Sequence, residues 1–354
     1  MNKKDLTWLH ALHLAHYSNL GSVRQIIKEY GVTAAAHQYG IKQVVPPEAW
    51  RELEVIKETE GVWLLTPDQP TYPKLLASSP DAPELIYGKG NSAALSHPLM
   101  VSIVGSRKCT AYGLSVVNEI VPELVRAGFV TVSGLAFGID AAVHRATLAA
   151  GGRTIAVLGG SVTEKELAPR AHTKLALEIL SAKGAIISEY PPGTITYPKL
   201  YPERNRIVAG LSLATIVIEG AERSGSLITA RLATEAGRSV LAVPGSIFAR
   251  TSSGTNQLIS TGATPLLSCQ SLFDEIECHL KDISIDYIAN VVTTSIDPVA
   301  AIILKECSVA RTLDQIIEST ELTSAVVLQM TTQLCLSGQL SLDENNRYLN
   351  TRAT

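Results

Sequence analysis

Residues 213–226 read Leu213-Ala214-Thr215-Ile216-Val217-Ile218-Glu219-Gly220-Ala221-Glu222-Arg223-Ser224-Gly225-Ser226. A short, β-branched, uninterrupted apolar run that stops at a glycine turn is the signature of a strand buried on both faces, feeding a helix through its C-terminal end. The same grammar recurs on both sides of it. Residues 100–104, 129–132, 154–158, 185–188 and 240–243 are runs of this kind, with helical stretches between them. The expected fold is therefore α/β, an extended Rossmann-like parallel sheet covering residues 67–282. In such a sheet ligands sit beyond the carboxyl ends of the strands, so the turns after the runs hold the candidate site.

Those turns are rich in glycine: Gly105-Ser106-Arg107, Ser133-Gly134-Leu135-Ala136-Phe137-Gly138, Gly159-Gly160-Ser161, Glu189-Tyr190-Pro191-Pro192-Gly193, Glu219 to Ser226, and Pro244-Gly245-Ser246. One such glycine usually only permits an unusual backbone angle; six glycine turns on one edge point to a shared ligand surface. Just before the run that begins at Leu213 comes Lys199-Leu200-Tyr201-Pro202-Glu203-Arg204-Asn205-Arg206, which places a ring, an amide and two guanidinium forks together. Arginine forks match phosphate, a tyrosine ring stacks on a base, and a helix start adds backbone donors. The chemistry suits a flat polyanion, a nucleic acid or a nucleotide.

Absent motifs narrow this choice. No turn spells G-x-G-x-x-G, and Gly220 to Gly225 has Walker-like spacing but continues with Ser226 instead of Lys. No cofactor and no metal is expected. Asp140 and His144, four residues apart, read as a helix cap and a surface contact. Glu189 and Glu219 are the carboxylates that a rival reading, an enzyme cleaving nucleotide derivatives, would use as a general base. Glu219 follows its strand directly, so its carboxylate is expected near the anion site, neutralised by Arg204 or Arg206.

The 354 residues carry a net charge of −3, so attraction to a polyanion must come from a local patch. Five cysteines without a CxxC pair, and no apolar run of membrane-spanning length, fit a reducing cytoplasm and no membrane partner. Residues 1–66 read as short helices, a small helical domain of SAM or helix-hairpin-helix type, with a third helix from Trp50. His10, His13 and His16 recur every three residues there and read as a solvent-facing stripe. After a loose linker over 283–295, residues 296–354 read as three helices and two strands, a winged-helix-like domain. Its third helix has no Lys or Arg between Thr323 and Gly338, which favours protein contact over groove binding.

The blocks Ile103-Val104-Gly105-Ser106-Arg107, Ser133 to His144, Ser188 to Gly193, Tyr201 to Ser212, Arg223 to Ala230 and Pro244-Gly245 resemble, in order and over about 170 residues, the DNA-processing protein A (DprA/Smf) family. The resemblance implies a single-stranded DNA-binding protein without catalysis, which helps load the RecA recombinase in natural transformation and recombination and dimerises through the C-terminal part of its Rossmann fold. It carries a phosphate-binding role to Arg107, Arg204 and Arg206, a basic role to Lys199, and gives Tyr201 the place where Phe is usual. With the glycine turns added, the expected DNA-binding set is Gly105, Ser106, Arg107, Gly134, Phe137, Gly160, Lys199, Tyr201, Arg204, Asn205, Arg206, Ser224, Gly225 and Ser226. Either arginine of the Arg-Asn-Arg block has a structural alternative, pairing with Glu203 or Glu219. The chain departs from the family after Gly160, where Ser161 to Arg170 replace a Tyr-Pro-x-x-Asn segment. Residues 254–278 carry more apolar surface than closing the fold needs, which is where the resemblance puts a homodimer face. A third reading makes the protein a scaffold whose end domains recruit partners.

Overall fold

The computed structural model describes residues 3–40, 51, 54–55, 58, 61–280, 298–320, 322–336, 340–343 and 347–350. The chain divides into two compact units, Met1–Asp282 and Ile283–Thr354.

In the first unit the strands are β1 (Trp63–Leu65), β2 (Ile86–Gly90), β3 (Met100–Val104), β4 (Val130–Ser133), β5 (Thr154–Val157), β6 (Ala185–Ser188), β7 (Ala214–Val217), β8 (Ser239–Ala242) and β9 (Thr264–Pro265). Among the described residues they form one sheet in the order β1-β2-β6-β5-β4-β3-β7-β8-β9. The strands from β3 to β9 are parallel, as a chain of buried apolar runs linked by helices requires. The order runs outward from β3 to β6, then restarts at β7 on the other side of β3. The topological switch point therefore lies between β3 and β7, the place where such sheets take their ligands.

The expected all-parallel sheet is corrected at one edge, where β2 runs antiparallel to β6 and β1 antiparallel to β2. Three residues at β1 are too few to show a period, so residues 63–65 read as the end of a helical domain when they belong to the sheet. Gly88 makes their pairing possible. It faces Trp63 across the ladder, and a Cβ there would lie 2.1 Å from the indole.

The helices Lys3–His16, Leu20–Tyr30 and Val32–Gln38 pack on the same unit. Trp8, Leu9, Leu12, Val23 and Ile27 share a buried cluster with Leu85, Tyr87, Leu158, Leu175 and Ile186. His10 and His13 are buried in this contact, which overturns the solvent-stripe reading: the helix puts them against the sheet. His10 Nδ1 pairs with the Tyr87 hydroxyl at 2.9 Å, and His13 Nδ1 donates to the Glu189 carbonyl at 3.0 Å. Arg24 from the second helix reaches the Glu189 carboxylate at 2.8 Å, and Arg206 takes its other oxygen. The third helix expected from Trp50 falls mostly outside the described residues, as does the 283–295 linker.

The second unit holds helices Pro298–Glu306, Leu313–Thr320 and Ser324–Leu336, with β10 (Leu340–Leu342) antiparallel to β11 (Tyr348–Asn350). Ile303, Cys307, Ile316, Val327 and Leu340 make its core. Three helices followed by a two-stranded hairpin is the order of elements expected for this end of the chain.

Candidate nucleic-acid interface

The turn after β3 sets the site. Thr110 caps the helix Ala111–Arg126, its hydroxyl accepting from the Gly113 N–H. The buried carboxylate of Glu219, at the end of β7, fixes that cap by accepting from the Thr110 N–H at 2.8 Å and the Thr110 hydroxyl at 2.6 Å. Gly113 makes room for it, since a Cβ would meet Glu219 Oε2 at 2.5 Å. The expected neutralisation of Glu219 by Arg204 or Arg206 is thus corrected. Its partners are a backbone amide and a hydroxyl, which satisfy a buried carboxylate without a countercharge. The link also ties the two sides of the switch point together.

The turn after β4 lies directly on the first. Gly138 has φ 77°, and a Cβ would clash with Ser106 O at 2.2 Å. Ile139 N donates to Ser106 O at 3.2 Å. Phe137 is left 49% exposed, its ring 4.8 Å from that of His172, whose Nδ1 donates to Leu135 O at 2.8 Å. Asp140 caps this turn, accepting from Gly134 N and Ala136 N. Burial pushes its carboxyl up, opposed by Arg204 and those amides. His144 is no surface contact: it is buried against Thr154 Oγ1, and burial lowers it to about 3.

The helix Leu200–Gly210 brings its cations to this edge in three different ways. Arg204 is 4% exposed, and its guanidinium donates to Gly134 O at 2.7 Å and to Val157 O, the carbonyls that end β4 and β5. Gly134 is glycine because a Cβ would sit 2.3 Å from that guanidinium. Arg206 points to the other side of the helix, into Glu189 and the Asp81 carbonyl. Neither takes Glu203 or Glu219. Glu203 instead accepts from the Tyr190 hydroxyl at 3.1 Å and lies 3.9 Å from Lys199. Burial pushes the Glu189 carboxyl up, but Arg206, Arg24 and His13 outweigh it and hold the group below its ordinary value. A carboxylate so clamped is a poor proton acceptor.

Arg107 differs from both. It is exposed, makes no hydrogen bond to the described residues, and its guanidinium lies 5.0 Å from the centre of the Tyr201 ring. Tyr201 in turn packs on Gly159, and Gly160 faces Thr196 so closely that a Cβ would lie 1.9 Å from its hydroxyl. Asn205 Nδ2 donates to Gly225 O at 3.4 Å, and Ser224 caps the helix Gly225–Glu235 by accepting from Ser226 N. The expected set is therefore brought to one edge, but it splits by role. Arg107, Tyr201, Phe137 and Lys199 are presented, while Gly134, Arg204, Arg206 and Ser226 build the floor. In the divergent segment Ser161 Oγ and Thr163 Oγ1 pair at 2.6 Å, and Ser161 N donates to Thr194 O at 3.4 Å.

A family model described as DNA recombination-mediator protein A matches residues 63–277. The chain belongs to this family. DNA processing protein DprA of Bacillus subtilis (strain 168) is 40% identical over 254 residues, which is 72% of this chain and 84% of that one. Its namesake in Streptococcus pneumoniae (strain ATCC BAA-255 / R6) is 42% identical over 206 residues, 58% of this chain and 71% of that one. The X-ray structure of the Streptococcus pneumoniae protein superposes with a TM-score of 0.61 at 34% identity, covering 73% of this chain and 92% of that one. DNA processing protein A from Helicobacter pylori, whose structure is described in terms of its single-stranded DNA binding mode, superposes with a TM-score of 0.54 at 29% identity over 62% of this chain and 96% of that one.

Some residues of the site escaped the sequence reading. Thr110 and Gly113 show no motif of their own, because their role depends on a carboxylate 109 residues away. Ile247 and Phe248 left a visible signal, two large apolar residues in the turn directly after a strand-end glycine.

Proposed function

We propose that the chain binds single-stranded DNA across the carboxyl ends of its parallel strands, holding the strand without breaking a bond in it. The observation that carries this reading is Arg107, a guanidinium with no protein acceptor, at the switch point and against an aromatic face. Phosphate takes the fork and a base takes the ring. The neighbouring Phe137, Lys108 and Lys199 add a second ring and two exposed cations. The Helicobacter pylori relative's binding mode supports it. Engagement of Glu189 and Glu219 within the fold supports the non-catalytic half.

The further reading is that the protein acts in the cytoplasm during natural transformation and recombination, as a homodimer handing its strand to the RecA recombinase. Leu267, 75% exposed beyond β9, lies in the face expected to pair. The 283–295 segment is a linker to a winged-helix-like domain that serves protein contact, since the helix Ser324–Leu336 has no cation.

The test is a fluorescence-anisotropy titration of an oligothymidylate, a duplex of equal length and a free nucleotide, at two salt concentrations. Single strand should bind well above duplex, because paired bases already stack on each other, and with a salt slope from released counterions. Equal affinity for the two forms sinks the proposal. So does release of base or phosphate from the nucleotide.

A further inference from the structure

Across the switch point from Arg107 lies a second group of exposed side chains. The turn after β8 presents Ile247, 82% exposed, and Phe248, 93% exposed, neither packed on the fold. Arg250 follows them, and Arg223 stands on the adjacent turn after β7. Both arginines are exposed, and neither has an acidic or carbonyl partner among the described residues. Glu222, also exposed, sets one negative charge against them.

The two turns are stitched to the Arg107 turn. Tyr112, in the first turn of the helix that starts after Arg107, donates to Pro244 O at 2.8 Å. Gly220 N donates to Thr251 O at 2.7 Å, and Glu219 joins the β7 turn to Thr110. One continuous edge therefore runs over the ends of β4, β3, β7 and β8. At a strand spacing of ~4.8 Å these three steps span roughly 14 Å, about four nucleotides at a stacked spacing of ~3.4 Å.

We propose that the strand path continues from the Arg107 site across this edge, with Arg223 and Arg250 taking further phosphates and Phe248, flanked by Ile247, giving a second stacking platform. The inference rests on the single-strand reading above. It commits to nucleic acid because one edge offers an exposed ring and two exposed guanidinium groups with no acidic or carbonyl partner among the described residues, the same two kinds of group that Tyr201 and Arg107 supply. A purely apolar partner would leave both charges unmatched.

The experiment compares an oligothymidylate of about 2 nucleotides, too short to span the edge, with one of about 15, for the whole chain and for Phe248→Ala, Arg223→Ala/Arg250→Ala and Arg107→Ala. Phe248→Ala should weaken the long strand on the order of ten-fold and leave the short one within about two-fold. The double arginine variant should also lower the salt slope for the long strand by about 1.4, the share of two phosphates. Arg107→Ala should weaken both lengths. If the wild-type chain binds neither strand, the single-strand reading itself fails. If it binds both and Phe248→Ala and the arginine pair change nothing, or change both lengths equally, only this extension is overturned. A change of sedimentation in Phe248→Ala without a change in DNA affinity assigns the face to a second copy and also overturns it.

Discussion

Two groups of charge meet the strand ends of this sheet, and they behave in opposite ways. Around Glu189 every charge is answered from within: Arg24 and Arg206 hold its oxygens, and two neutral imidazoles close the surroundings. Arg107 has no acceptor among the described residues, and its exposed guanidinium lies beside a ring. The contrast teaches that an arginine at a strand end reports a ligand only where the fold leaves it unpaired. Arg204 and Arg206 belong to the same short block as Tyr201, and the fold spends both on itself.

The comparison breaks most visibly in acid. Burial lowers His10 and His13 from 6.5 to about 4. The unfolded chain therefore takes up their protons as pH falls through 6.5, while the folded chain resists until about 4. The stability they contribute is fully present above 6.5 and is lost across that window, on the order of 3 kcal/mol per imidazole. The depressed carboxyl of Glu189 extends the loss below its ordinary 4.5. Urea midpoints followed between about pH 7 and about pH 4 should fall steeply, and His13→Asn should flatten the profile. A flat wild-type profile would mean the group around Glu189 is open like that around Arg107.

Arg204→Ala comes next. It unpairs the terminal carbonyls of β4 and β5 and should cost about 3 kcal/mol in urea unfolding at unchanged slope. Weakened DNA binding at unchanged stability would move Arg204 into the ligand group. Arg107→Ala is the mirror experiment. Affinity for an oligothymidylate should drop by about 1–3 kcal/mol with a shallower salt dependence, while stability stays within about 0.5 kcal/mol. The smallest effect belongs to Glu219→Gln, which keeps an acceptor for the Thr110 N–H but presents an amide NH2, a donor, to the Thr110 hydroxyl, so that the charge-assisted bond from this hydroxyl is lost. About 1 kcal/mol of stability and a few-fold at most in DNA affinity should be lost. Nucleotide turnover that disappears in this variant would overturn the whole non-catalytic reading.

The sheet was legible because six of its strands are buried on both faces and so appear as unbroken apolar runs. The edge strand Trp63–Leu65 was not, since three residues carry no period and its partner's signal is a single glycine. The turns that hold the site were legible from their glycines, but the allotment of side chains within them was not. Whether Arg206 meets a phosphate or Glu189 depends on Arg24, which lies 182 positions away on a helix that sequence reading gave no purpose. The buried histidines failed for a related reason. A three-residue spacing gives a helical face but not which way that face turns, and Tyr87 with Glu189 O decides it.

The last strand of the sheet bears on self-association of another kind. In β9 Thr264 and Pro265 pair with β8, and Leu266 N donates inward to Ala242 O. The residue whose amide would face outward is Pro265, which has none to offer. On either side of it, Ala263 N is taken by Leu258 O and Leu267 N by Ser271 Oγ. A foreign strand meeting this edge finds no free backbone donor at residues 263, 265 and 267, so the sheet is not zipped onward through β9. The β9 edge is thereby guarded against β-augmentation.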